Sequence, residues 1–134
     1  CTSSALASES PVYTGLLSNT AVGGYDTVSY FEAGGPAKGS ARHTVEYNGA
    51  TWRFANPKNL ALFKEEPERY APAYGGYCAW AISQGNLAKG DPKYWTVRDG
   101  RLYLNYSQSV HDQWLEDPEG FIRQANEKWP KVLE

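Results

Sequence analysis

Two dipeptides constrain this chain more than anything else in it: Asn48-Gly49 inside TVEYNGATWRFA, and Asp99-Gly100 inside YWTVRDGRLYLNY. Asn-Gly and Asp-Gly supply two adjacent residues that tolerate positive φ, as a type I′ turn demands, and the twist of that turn matches the strands it joins. Each is flanked by alternating apolar and polar residues, so each predicts a β-hairpin. Elsewhere the pattern turns helical. Asn56-Pro57 predicts an N-cap followed by proline in the first turn, with Leu60 and Phe63 as the inward stripe of a helix ending near Pro67. Residues 77–84 predict a short helix stopped by Gly85. Ser109 is predicted to cap a helix carrying Val110 and Trp114. Asp117-Pro118 is predicted to start another, with Phe121, Ile122, Ala125 and Trp129 at helical spacing. Residues 22–31, VGGYDTVSYF, predict a glycine turn and then a short strand or turn, and GGPAKGS at 34–40 a loop. No internal repeat is expected. Hairpins interleaved with helices give an α+β fold, a small antiparallel sheet built from two hairpins and packed with three to four short helices.

The 134 residues suit one domain. Residues 1–10 read as a flexible tether or processing region and 11–134 as the domain, which at this length buries enough surface to fold without metal or disulfide staples. Five Trp, ten Tyr and four Phe are a large apolar content that needs a core or a pocket. A net charge of -2, with Lys and Arg dispersed among acids, excludes the clustered basic face that nucleic acid requires. No apolar run reaches the ~20 residues needed to cross a bilayer. The first residues, CTSSALASES, lead to an expectation of export. Cys1 followed by small polar residues resembles the mature end of a bacterial lipoprotein, and ALA at residues 5–7 fits a signal-peptidase site. A lipid anchor at Cys1 and a periplasmic or membrane-anchored location follow from that reading. A Cys1–Cys78 disulfide is not expected, so Cys78 is read as a lone thiol.

The segments GGYDTVSYFEAGGPAKGS, YNGATWRFANPKNLALFKEEPERYAPAYGGYCAWAISQG, KYWTVRDGRLYLNYS and KWPKVL occur in order and resemble the YHS-domain proteins, in their exported bacterial subgroup. The resemblance runs from about Val12 onward. It implies a small α+β module associated with heavy metals, copper preferred. In metal-associated members cysteines serve as ligands; here Ser29, Ala55 and Asn59 stand where those thiols would be. The subgroup has instead the cysteine of GGYCAWA. Some members carry selenium, which would imply a reactive chalcogen were that position the one held by Cys78.

Three readings of the chemistry stay open beside a purely structural one, in which Cys78 packs as a small hydrophobe. In the first, Cys78 begins a short helix, its thiolate is stabilised by free N–H groups, and with His43 and His111 it holds copper or zinc. In the second, the same low-pKa thiol is a monothiol redox or peroxide-handling catalyst, activated by one of those imidazoles. In the third, the chain is a non-catalytic binding module. Its small ligand lies in an aromatic pocket formed by Tyr25, Asp26, Tyr30, Tyr74, Tyr77 and Trp80. The expected partner is thus a metal ion or a small molecule, and no partner protein is specified.

Overall fold

A computed structural model of the chain describes residues 9–15 and 18–134. Cys1 and the ALA of residues 5–7, and with them the lipid-anchor and processing readings, lie outside the described residues. The fold is α+β. Helix α1 (Thr27–Glu32) leads to strands β1 (Ser40–Tyr47) and β2 (Ala50–Phe54), then helices α2 (Pro57–Glu65) and α3 (Pro67–Tyr70). Helix α4 (Ala79–Ser83) leads to β3 (Asp91–Arg98) and β4 (Arg101–Asn105), then α5 (Gln108–Leu115) and α6 (Pro118–Lys128). The two hairpins do not pair with each other. They form two separate two-stranded antiparallel sheets rather than one.

That order is the same sequence of elements twice. Each round opens with a 3-10 turn in which three consecutive residues adopt positive φ: Val22, Gly23 and Gly24 in the first, Tyr74, Gly75 and Gly76 in the second. Tyr25 then bridges to Lys38, and Tyr77 to Lys89. The strand registers coincide as well, Ser40 opposite Phe54 and Tyr47 opposite Ala50, against Asp91 opposite Asn105 and Arg98 opposite Arg101. Both ladders slip at the same place, between Ser40 and Thr44 and between Asp91 and Trp95. Asn56 caps α2 and Ser107 caps α5, each accepting from the N–H three residues on. Pro67 and Pro118 start the next helix in each round. The aromatic pair across strand and helix recurs too, Trp52 on Phe63 at 5.1 Å and Tyr103 on Trp114 at 5.3 Å.

The chain is therefore an internal duplication, contrary to the expectation of no repeat. What the halves share is mostly punctuation: A-x-G-G-Y, A-K-G and the two turn dipeptides. Between those marks the apolar residues have been exchanged for others of different size, which hides the period from inspection.

Two further expectations are corrected. Residues 27–32 are helical rather than strand or turn, because Asp26 caps them: its Oδ1 accepts from the Ser29 N–H at 3.2 Å, satisfying an orphan donor of the first turn. The cap of α5 is Ser107, two residues before the predicted Ser109. Ser107 Oγ accepts from the Val110 N–H at 3.3 Å.

The halves are not independent. Trp52, Phe54, Phe63, Val28 and Tyr30 of the first unit pack with Leu102 and Leu104 of β4 in one buried cluster. Each such side chain contributes roughly 1.5–3 kcal/mol by its removal from water. A second cluster gathers Tyr74, Tyr77, Ile82, Tyr103 and Trp114 with Ala125 and Leu133 from the C-terminal helix and turn. The glycine turn of the first unit backs onto the second unit. A Cβ on Gly23 would touch Pro92 at 3.6 Å, and the Tyr30 hydroxyl donates to the Pro92 carbonyl at 2.6 Å. The glycine turn of the second unit is covered instead by the N-terminal strap. Tyr13 N–H donates to the Gly75 carbonyl at 3.0 Å, and the Pro11 carbonyl oxygen occupies the place a Gly75 side chain would take. Tyr77 donates its hydroxyl proton to the Ser10 carbonyl at 2.8 Å, and Val12 reaches into the first cluster.

Candidate functional site

The duplication explains what Cys78 is doing in the fold. Its counterpart is Asp26. Both precede a short helix, both follow a G-G-Y turn, and both donate their backbone N–H at 2.8 Å to an alanine of the following loop, Ala37 for Asp26 and Ala88 for Cys78. Asp26 is fully buried and each of its carboxylate oxygens is engaged. Oδ1 takes the Ser29 N–H; Oδ2 takes the Ala55 N–H and the Asn59 Nδ2–H, both at 2.8 Å. One side chain thus ties α1, the β2–α2 corner and α2 together. A buried carboxylate is tolerable because three donors replace its water.

Cys78 occupies the same station with weaker chemistry. It is the N-cap of α4, not a residue of its first turn, and its Sγ accepts from the Ala81 N–H at 3.5 Å. Asn105 Oδ1 lies 3.5 Å from the sulfur and also accepts from the Trp80 N–H at 3.0 Å. The thiol is 1% exposed. Burial pushes its pKa up, against a smaller downward pull from the backbone N–H groups of Ala81, Tyr106 and Trp80. The expectation of a thiol primed below its ordinary pKa is therefore overturned. The free N–H groups are there, but desolvation of the anion outweighs them. Where the first unit has Asn59 and Ala55, the second has Val110 and Tyr106. Those two residues, with Cys78, Trp80, Ala81 and Ala88, line an open cavity of about 140 Å³ beside the sulfur.

The two histidines lie on other elements. His43 lies on β1, half-buried. His111 lies on α5 and pairs through Nε2 with Thr96 Oγ1 at 3.0 Å, its pKa lowered by burial with a smaller opposing effect from Asp112. Among the described residues no group of three or more His, Cys, Asp and Glu side chains could hold a metal ion. The set Cys78, His43 and His111 is thus not assembled, and Asp26 has no free oxygen lone pair pointing at solvent to replace a member. These residues do not fit copper or zinc.

The aromatics predicted to share one pocket are dispersed by the duplication. Tyr30 is core, hydrogen-bonded to Pro92 and packed on Trp95 at 5.2 Å, and Tyr25 sits at the edge of the same cluster. Trp80 lines the cavity at Cys78, and Tyr77 lines a groove along the N-terminal strap. Only Tyr74 faces the cleft of about 370 Å³ where the two units meet the C-terminal segment. Its other walls are Pro11, Val12, Tyr47, Trp52, Trp129 and Pro130, with Glu68 and Arg101 as its charged groups. Arg101 makes no ion pair among the described residues, and neither does Glu68. Sequence reasoning missed this cleft because its walls come from the β1–β2 turn, the glycine turn of the second unit and the chain's last residues. No local spacing connects those three segments.

Fold and site together define a class: an α+β protein made of two tandem turn–helix–hairpin–helix units that share a core. Its first unit is similar to a known family. Residues 28–74 match the family model of the YHS domain. The match stops at the start of the second unit, well short of the Val12-to-C-terminus extent that the resemblance implied. The family is linked to heavy-metal binding. No curated protein and no solved structure matches the chain.

Proposed function

We propose that this protein is a non-catalytic binding module whose small ligand lies in the cleft between the two units. The observation that supports this reading is the composition of the walls. Tyr47 and Trp129, both partly exposed, give two aromatic walls above the buried Trp52 and Tyr74, and Arg101 and Glu68 supply one charge of each sign, unpaired among the described residues, in a volume within the ~300–1,000 Å³ range of ligand sites. The ligand class that such walls accommodate is a compact molecule with a ring or other apolar body and a charged end. Rings stack on its body, and the exposed guanidinium of Arg101 takes an acid group in a forked hydrogen bond. A heavy-metal role draws its support from the YHS family alone.

The reading is tested by titrating phenylacetate and phenethylamine while following tryptophan fluorescence, since Trp52 and Trp129 both line the cleft. Saturable binding of the acid is expected, with preference passing to the amine in Arg101→Glu. Arg101 is exposed, so that exchange leaves the fold intact. No saturable change with either probe, or a preference untouched by Arg101→Glu, refutes the proposal.

A further inference from the structure

The correspondence between Cys78 and Asp26 carries a consequence beyond ligand binding. A cysteine sulfinate, Cβ–SO₂⁻, has nearly the shape and the charge of an aspartate side chain, Cβ–CO₂⁻. The first unit shows what this station does with such a group: it buries it and feeds it N–H donors. The second unit retains those donors. The Ala81 N–H matches the Ser29 N–H, the Tyr106 N–H matches the Ala55 N–H, and the Trp80 N–H adds a further one. In place of the donor lost when Asn59 became Val110, the second unit has Asn105. That side chain is fully buried, its amide oxygen lies 3.5 Å from the sulfur, and its Nδ2 has no hydrogen-bond partner among the described residues. An orphaned buried amide donor is costly unless some state of the protein uses it. The cavity of about 140 Å³ bounded by the sulfur supplies the room that two added oxygens and an incoming small oxidant need.

We propose that Cys78 is an oxidative modification site, built to hold the sulfinic acid that hydrogen peroxide makes of its thiol. In the first step the sulfur attacks one peroxide oxygen, the O–O bond breaks, and the thiol proton leaves with the other oxygen as water, giving a sulfenic acid. A second peroxide repeats the transfer, losing a second water and giving the sulfinic acid, which ionises to sulfinate. Each step takes two electrons from sulfur and reduces one peroxide. Turning the Asn105 amide about its last side-chain bond then presents Nδ2 to the new oxygens, and the Trp80 N–H passes from Asn105 Oδ1 to a sulfinate oxygen. The buried thiol makes the first step slow, so millimolar peroxide and hours are the appropriate regime.

The experiment treats the folded full chain with hydrogen peroxide, maps peptides by mass and then melts the oxidised protein. The chain has no methionine, so no thioether competes, and the peptide map separates Cys78 from Cys1. The Cys78 peptide is expected to gain the mass of two oxygen atoms without denaturant, and the oxidised protein to melt at or above the temperature of the reduced one. Oxidation of Cys78 only in the unfolded chain, or a lower melting temperature after oxidation, overturns the proposal. A second arm needs no oxidant. Cys78→Asp is expected to melt at or above Cys78→Ala, and an aspartate less stable than alanine at this position also overturns it.

Discussion

Removing the side chain of Asp26 and removing that of Cys78 perturb the same station in two copies of one unit, and the structure predicts very different costs. Asp26→Ala leaves the Ser29 N–H, the Ala55 N–H and the Asn59 amide without acceptors, the Ser29 and Asn59 donors at buried positions and the Ala55 donor at a partly buried corner. A buried donor deprived of its partner costs ~1–3 kcal/mol, and losing a charged acceptor is at the upper end; because the three share one acceptor the total is ~3–5 kcal/mol rather than their sum. For a chain of this length a kilocalorie moves the melting temperature by roughly 3–5 °C, so a fall of ~10–20 °C is expected. Cys78→Ala forfeits a sulfur acceptor at 3.5 Å and enlarges a cavity that already exists. Its expected cost is ~1–2 kcal/mol, a few degrees. Urea unfolding followed by tryptophan fluorescence measures both, with an unchanged m-value required for the comparison. If Cys78→Ala proves as damaging as Asp26→Ala, the argument that one carboxylate does with three strong bonds what the thiol does with weaker ones is wrong.

Glycine substitutions separate steric from conformational demands. Gly75→Ala places a methyl group on the Pro11 carbonyl and is expected to cost ~3 kcal/mol or more, whereas Gly49→Ala, at φ 80° with nothing near, should cost only the ~1–2 kcal/mol of a left-handed alanine. Equal losses in thermal melts would show that the strap is not packed as described. His111 gives a pH dependence. Its pKa in the folded protein lies below the ordinary 6.5, so the unfolded chain binds the extra proton first. Stability therefore declines as pH falls from about 6.5 toward the lower folded pKa, and is flat above. His111→Gln should remove that slope in urea titrations, and a slope of the opposite sign would contradict the burial of the ring.

The parts of the fold written in local chemistry were legible in the sequence. Asn48-Gly49 and Asp99-Gly100 turn where their dihedral tolerance says they should, and Asn56 and Asp117 cap the helices they precede. The helix over 27–32 escaped notice because Thr27, Val28, Tyr30 and Phe31 favour strand on propensity. What decides the matter is Asp26, whose second oxygen is held by residues some thirty positions later. The site was less legible still. Cys78 stands out in the sequence as a reactive group, yet the surroundings that bury it include Asn105, Tyr106 and Val110, none of them near it in sequence. Its place is explained by the repeat, in which it stands where Asp26 stands in the first unit. The chain's two units have kept their turns while trading most of the side chains between them, Phe54 for Asn105 and Asn59 for Val110 among them.

The Pro11 carbonyl set against Gly75 also bears on how far such a chain could grow. Pro92 fills the equivalent position behind the first unit, so the segment around Pro11 serves as a plug for the socket behind the second. A further copy packed behind the second unit in the way the second packs behind the first would have to displace that plug, and Val12 with it, from the first unit's interior.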